Sequence, residues 1–373
     1  MENNGHAFEG EVVDCDVAVV GARIAGSVLA ARLGAQGHRV LLLDKSRAGS
    51  PTISTHFFRG AGLVSVLRSL DLVDPILASG APRLVRQWSY SGGGSEGAEG
   101  DPQNPGDEGY CLSVRRETLD PLLVARAATE PSVEYRPETA LVGLVRNGSS
   151  VVGLDAEGPV GPVRVNARLV VGADGRRSLV AREVGAAFEE QEKGHRSLYY
   201  RYVKGWTAPG GGDPDAPEFS LIDDELGYVF PSDGGWTCIA VSVGAEQAGE
   251  LKGDLPNRFD ALFARHGGFA PRLAACREAT RIFGGPSGPN YVRTAAGPGW
   301  MLVGDAGQHQ DPWTGVGMDL GATTAVAAAR HIGEFLDGTV DEASAGAAWS
   351  AERDSIGREI WRGTVVGSRN LSG

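Results

Sequence analysis

Short apolar runs cut by glycine, rather than long amphipathic stretches, dominate the first fifty residues. Asp14 to Val20 (DCDVAVV) is Val-rich and stops at Gly21, which predicts a buried strand. Ala25 to Gln36 has helix-forming composition, with Gly37 just past its end. His38 to Asp44 (HRVLLLD) reads as a second buried strand. Strand, glycine turn, helix and strand in about thirty residues make a βαβ unit, and that unit requires a parallel sheet.

From Ser132 to Val171 the pattern alternates instead, with Asn147-Gly148 as a hairpin turn. A second strand-rich stretch, Arg196 to Val243, contains SLYYRYV, EFSLI, GYVFP and TCIAVSV. It predicts an antiparallel sheet separate from the first. Tyr199, Tyr200, Arg201 and Tyr202 alternate along one of its strands, so two of them face a substrate cavity and two do not. Leu302 to Gly304 returns to buried strand entering a Gly-rich turn, Leu320 to Ile332 is an Ala-rich helix, and Glu342 to Trp361 forms a last helix.

Composition narrows the class. A chain of 373 residues suits two domains. Lys+Arg 35 against Asp+Glu 47 leaves a net charge of −12, which argues against nucleic acid or an anionic membrane as partner. No apolar run approaches the ~18–20 residues of a membrane span. Met1 to Gly10 lacks the basic and apolar regions of a secretory signal. Cys15, Cys111, Cys238 and Cys276 are scattered, as expected of reduced, mostly buried thiols in a cytoplasmic protein. The histidines show no metal-binding spacing, so no metal site is expected. Gly is the outlier at 55 residues, about twice the usual share. Part of that excess falls in two acidic segments, Ser91 to Gly109 and Ala208 to Pro217, which read as hairpin loops on the strand-rich part of the chain.

The literal G-x-G-x-x-G pattern occurs once, at Gly92, Gly94 and Gly97, inside the first of those loops. A dinucleotide fingerprint must open a helix so that its amides meet the pyrophosphate, and no helix can start there. The better candidate breaks the pattern: Gly21-Ala22-Arg23-Ile24-Ala25-Gly26 lies between strand and helix, with Arg23 at the middle glycine position. Gly21 permits the tight turn and Gly26 a close helix–sheet approach. The Arg23 cation can run beside a pyrophosphate. Asp44, ending the second strand, stands where an acid accepts ribose hydroxyls, with Lys45 next to it.

Two further motifs complete the pattern. Val170-Val171-Gly172-Ala173-Asp174-Gly175-Arg176-Arg177-Ser178 runs from strand through turn to helix start. Met301-Leu302-Val303-Gly304-Asp305-Ala306-Gly307 repeats that form, followed by Asp311-Pro312-Trp313-Thr314-Gly315-Val316-Gly317 and Met318. In this order they resemble the FAD-dependent monooxygenases of the para-hydroxybenzoate hydroxylase fold. GARIAG, Ser54-Thr55-His56-Phe57 and GDAG-x-x-x-DP resemble a subset associated with bacterial natural-product tailoring.

The resemblance implies an α/β (α+β) fold: a Rossmann-like FAD-binding domain on a parallel sheet and a substrate domain on an antiparallel sheet. The implied FAD parts are 10–82, 113–187 and 286–340, the substrate parts 83–112 and 188–285, and the C-terminal helix 341–373. It implies that Asp305 bonds the ribityl chain and that the turn of Gly315 and Gly317 faces the flavin N1–C2=O edge. It places Pro312 beside the reactive side of the ring, Asp174 on the NADPH-facing and pyrophosphate side, and Arg116 (R-x-x-L) near flavin and pyrophosphate. His56 lies where the chain passes the isoalloxazine ring, either as general base or as a packing residue. His309 is either a site residue or an exposed turn.

The implied chemistry is NAD(P)H reduction of FAD, a flavin C4a-hydroperoxide formed with O2, and oxygen transfer to an apolar or aromatic small molecule. Geranylgeranyl-reductase-like enzymes share the strand end Tyr228 to Gly234, but their cysteine near the flavin is replaced in the His56 region. Flavin halogenases carry paired tryptophans where this chain has Gly227-Tyr228-Val229-Phe230-Pro231. A flavin-binding protein without turnover is the remaining alternative of a different class.

Overall fold

The computed structural model describes residues 8–54, 56–102, 105–249, 251, 253–286 and 288–371. Thr55 of the STHF segment, Gln103 and Asn104 of the acidic loop, and Met1–Ala7 of the amino-terminal reading lie outside the described residues.

Strand Glu11–Val20 is the centre of the first sheet. It pairs in parallel with Val40–Leu43 on one side and Gly161–Gly172 on the other. Val133–Arg136 extends one edge, and Trp300–Leu302 adds in parallel beside Val170–Gly172 at the other. Both faces of the central strands are covered, which explains their continuous apolar runs. Helix Ile24–Ala35 and helix Gly317–Leu336 pack on one face through Val28, Leu29, Leu33, Ala322 and Ala325. The hairpin Ala140–Asn147 and Ser150–Gly158, turning at the predicted Asn147-Gly148, joins the same sheet through Gly161–Gly172.

The second sheet is built on Arg196–Lys204, Trp236–Gly244, Glu225–Pro231 and Glu218–Ile222, all antiparallel neighbours. Period-two alternation sorts its tyrosines. Tyr199 packs with Val203, Ile239 and the helix residues Phe259, Phe263 and Phe269. Tyr200 and Tyr202 project to the opposite face with Tyr228, Phe230 and Phe57. Arg201 goes with Tyr199, reaching Asp260 at 2.6 Å.

The acidic segment Ser91 to Gly109 contains the expected hairpin loop. Its residues Ala98–Gly100 form an edge strand paired with Gln87–Ser91, so the decoy glycines sit at the tip of a hairpin. The backbone bonds of the flanking residues outweigh the poor strand propensity of Gly and Glu there.

Buried polar contacts weld the sheets together. Asp311 accepts from the backbone N–H of His195 at 3.0 Å and from Asn290 Nδ2 at 2.9 Å. Asp233, at the turn beyond strand Glu225–Pro231, accepts from the Arg115 guanidinium at 2.8 Å and from Thr118 at 2.7 Å. Helix Glu342–Ser368 runs seven residues past its predicted end and is no appendage: Trp349 is fully buried in the core beneath the first sheet.

Candidate active site

The sequence places a glycine wherever two backbones must meet at the carboxyl ends of the parallel strands. Gly21 takes φ +107°, and a Cβ there would lie 2.4 Å from the carbonyl oxygen of Ala173. A Cβ on Gly26 would lie 1.8 Å from the carbonyl oxygen of Gly21. Both positions exclude any side chain, and the helix start Ile24–Ala35 is thereby drawn against the turn after Gly172.

A cavity of about 510 Å³ opens over these strand ends. Its wall includes Gly21, Arg23, Ala25, Asp44, Lys45, Arg116, Asp174, Gly304, Asp305, Pro312, Gly315, Gly317 and Met318, so residues from three distant motifs share one space. Ala22, Gly26 and Val316 are not on the wall and act behind it. Ala22 gives its N–H to Asp44 at 2.9 Å, and Val316 caps helix Gly317–Leu336.

Asp44 also accepts from the Ser46 N–H at 2.8 Å. Each carboxylate oxygen keeps a further lone pair for a ligand hydroxyl. Arg116 is tied to Asp120 through two bonds of 2.7 and 3.0 Å, and Arg23 reaches the same Asp120 at 3.8 Å. Two guanidiniums share one carboxylate, and Arg23 Nη1 is buried without a hydrogen-bond partner. Two cations against one carboxylate leave one positive charge unmatched among these three groups, which fits an anionic ligand such as a pyrophosphate.

Asp174 lies on the cavity wall and also secures the turn beneath it. Its carboxylate accepts from Ser178 Oγ at 2.5 Å and Leu179 N–H at 2.6 Å, so it fixes the turn and the start of helix Leu179–Glu183. Burial raises its pKa against those bonds.

His56 is the residue expected either as general base or as packing residue. It is absent from the cavity wall and stands edge-on to Tyr200 and Tyr202, with ring centroids 5.2 and 5.3 Å away. Burial, followed by the nearby Arg116 and Arg115, drives its pKa well below the usual histidine value, so it is neutral at pH 7. Its backbone takes a left-handed φ of 61°, a conformation that re-aims the chain between Ser54 and Phe57. Its ring packs on the two tyrosines, and its Nδ1 is buried without a hydrogen-bond partner among the described residues.

Several wall residues were not singled out by the motifs. Gln308 and Gln310 flank the candidate His309 in the spacer between Asp305 and Asp311, and all three line the cavity. Trp349 and Arg353, one turn apart on the last helix, close the back of the cavity. The spacer had a signal, since both flanking motifs pointed to one site. The helix pair had none, because its register against the cavity is set by tertiary packing.

A family model described as "FAD binding domain" matches residues 14–203. The chain belongs to this family. Digeranylgeranylglycerophospholipid reductase 2 of Methanothermobacter thermautotrophicus is 29% identical over 342 residues, covering 87% of this chain and 80% of that protein. Kynurenine 3-monooxygenase of Salinispora arenicola is 29% identical over 369 residues, covering 90% of this chain and 76% of that protein. Among solved structures, pqsL of Pseudomonas aeruginosa, described as a probable FAD-dependent monooxygenase, superposes with a TM-score of 0.81 at 23% identity, covering 95% of this chain and 96% of that one. The fold is therefore that of the para-hydroxybenzoate hydroxylase-like FAD-dependent oxidoreductases.

Proposed function

We propose that the protein is an FAD-dependent monooxygenase that uses NAD(P)H and O2 to hydroxylate or oxidise an apolar or aromatic natural-product intermediate in the cytoplasm. The observation that carries this reading is the continuity of one cavity from Gly21 and Asp44 at the nucleotide end to Pro312 and Leu198 at the substrate sheet. FAD, when bound, supplies the redox chemistry. The chain supplies the rest. Asp44 offers an acceptor to the ribose, and the Arg23–Arg116 pair offers charge to the pyrophosphate. The helix start at Gly317 directs backbone N–H groups and a positive dipole end toward the space beside Gly315, where they favour negative charge. Arg176 and Arg177, exposed on the cavity wall, suit a second anionic nucleotide. Neutral His56, with the packed Tyr200 and Tyr202, keeps water from the sheet side.

A reductase is the second reading, favoured by the names of the archaeal relatives and by the shared Tyr228 to Gly234 strand end. Against it, none of the four cysteines lines the cavity. The discriminating experiment is FAD reconstitution followed by NADPH oxidation under air and under argon, with candidate substrates. A monooxygenase takes up flavin, makes product only with O2, and incorporates label from 18O2. Product formed under argon points to the reductase, and protein that binds no flavin overturns both readings.

A further inference from the structure

Asp305 lies second in the turn Gly304–Ala306, at the end of the parallel strand Trp300–Leu302. It sits deep among protein atoms yet leaves 42% of its side chain open, on the cavity wall. One carboxylate oxygen, Oδ2, lies 3.3 Å from His309 Nδ1. The other accepts no hydrogen bond among the described residues.

His309 is held from three directions. Its backbone pairs with Tyr291 in the small sheet of Phe188–Glu192, Asn290–Arg293 and Gln308–His309. Its carbonyl accepts from Trp361 Nε1 at 2.9 Å, which ties it to the last helix. Its ring lies against the Tyr291 ring, centroid to centroid 5.7 Å. The Tyr291 hydroxyl in turn donates to the Asp305 carbonyl oxygen at 2.7 Å. Backbone and side chain of Asp305 are therefore fixed by one adjoining pair of rings.

We propose that His309 is a positioning residue for flavin binding: its Nδ1–H holds Asp305 Oδ2, so that Oδ1 is presented in one orientation to a hydroxyl of the bound FAD. A carboxylate free to rotate loses that freedom on binding, whereas one held beforehand does not. An imidazole that donates from Nδ1 also leaves its Nε2 toward Gly288 and away from the carboxylate. The electrostatics agree in direction. Burial alone disfavours the Asp305 charge, and His309, with Arg176 and Arg116, brings the pKa below the ordinary carboxylate value.

The inference rests on the reading that the cavity holds FAD, and the test separates the two. FAD dissociation constants are measured by flavin fluorescence quenching on wild type, His309→Phe, His309→Asn and Asp305→Asn, and on the double variants. Phe keeps the ring packing on Tyr291 without an N–H, while the Asn amide places a donor close to where Nδ1 stands. His309→Phe is expected to weaken FAD binding about tenfold, the scale of one charge-assisted hydrogen bond, with His309→Asn within about threefold of wild type. In the Asp305→Asn background, His309→Phe is expected to add little. Equal losses in the Phe and Asn variants, or full additivity in the double variant, overturn the positioning role and leave the flavin reading intact. If His309→Phe does not fold, the same cycle is run with His309→Gln, whose longer amide is expected to misplace the donor. Wild-type protein that binds no FAD overturns the flavin reading and this inference with it.

Discussion

The ion pair between Arg59 and Asp319 offers a stringent test of how the cavity wall is held. Arg59 Nη1 lies 3.2 Å from Asp319 Oδ2, and both residues are buried. Asp319 Oδ1 also accepts from the backbone N–H of Arg59 at 3.1 Å and of Leu63 at 2.9 Å. Arg59 Nη2 continues to the carbonyl oxygen of Thr314 at 2.8 Å, directly before Gly315. One guanidinium thus compensates a carboxylate in the first turn of helix Gly317–Leu336 and orients the loop leading into it. Arg59→Met keeps the apolar stem and removes every guanidinium donor. An uncompensated buried charge costs about 3–5 kcal/mol. Two backbone donors remain on Asp319, which places its loss at the lower end, and the orphaned Thr314 carbonyl adds about 1 kcal/mol. The expected destabilisation is about 3–4 kcal/mol, read from urea unfolding followed by circular dichroism at pH 7. Burial holds the Asp319 pKa above its ordinary value even with Arg59 present. Lowering the pH therefore neutralises the orphan and narrows the gap to wild type. Arg59→Met/Asp319→Asn is expected to cost less than the two single changes added together, by more than about 1 kcal/mol. A loss below about 1 kcal/mol in Arg59→Met, or strict additivity, would refute the reasoning.

Three other outcomes follow from the same structure. Asp174→Ala removes the acceptor for Ser178 Oγ and Leu179 N–H and should cost about 1–2 kcal/mol. Asp174→Asn should recover part of that, and equal losses would show that the cap is not the cause. Burial, then Arg265, lowers the His266 pKa to about 4 from its ordinary 6.5. The stability it contributes is complete above pH 6.5 and is lost as pH falls toward 4, by up to about 3 kcal/mol. Unfolding midpoints measured across that window should fall less steeply in His266→Phe, and an unchanged slope would count against it. Burial raises the thiol pKa to about 12 in Cys15 and about 11 in Cys111, and raises that of Cys238 as well. Native protein should therefore give an aromatic disulfide reagent no more than one rapid thiol, and all four after unfolding; fast labelling of two or more would contradict the burial.

The parallel core was legible because its signal is local. A buried strand such as Val17–Val20 is apolar at every position, and the glycine after it marks the turn in the chain itself. The antiparallel sheet was legible as a sheet, but the facing of Tyr199 to Tyr202 was not, since period two fixes alternation and leaves the sign to be set by what packs on each face. His56 shows a second limit. A histidine next to a motif reads alike whether its ring meets a ligand or two tyrosines from a strand about 145 residues away, and the burial and neighbouring arginines that lower its pKa come only with the fold. Asp174 shows a third: the spacing to Ser178 and Leu179 is also that of an acid closing a turn before a helix, so one motif served two readings.

The irregular fingerprint becomes intelligible only in three dimensions. With Arg23 in place of the middle glycine, the turn carries a side chain where backbone would approach a pyrophosphate. The structure directs that side chain toward Asp120, on helix Arg116–Ala128, where Arg116 has already claimed the carboxylate. Neither arginine then carries a full partner of its own. Burial and the neighbouring Arg116 charge both disfavour the Arg23 cation, and Asp120 offsets them only in part. An anionic ligand between the two would relieve this repulsion. The turn loses a backbone approach and gains an unmatched charge, and the chain position that weakens the sequence motif is the one where the folded site holds an incompletely paired guanidinium.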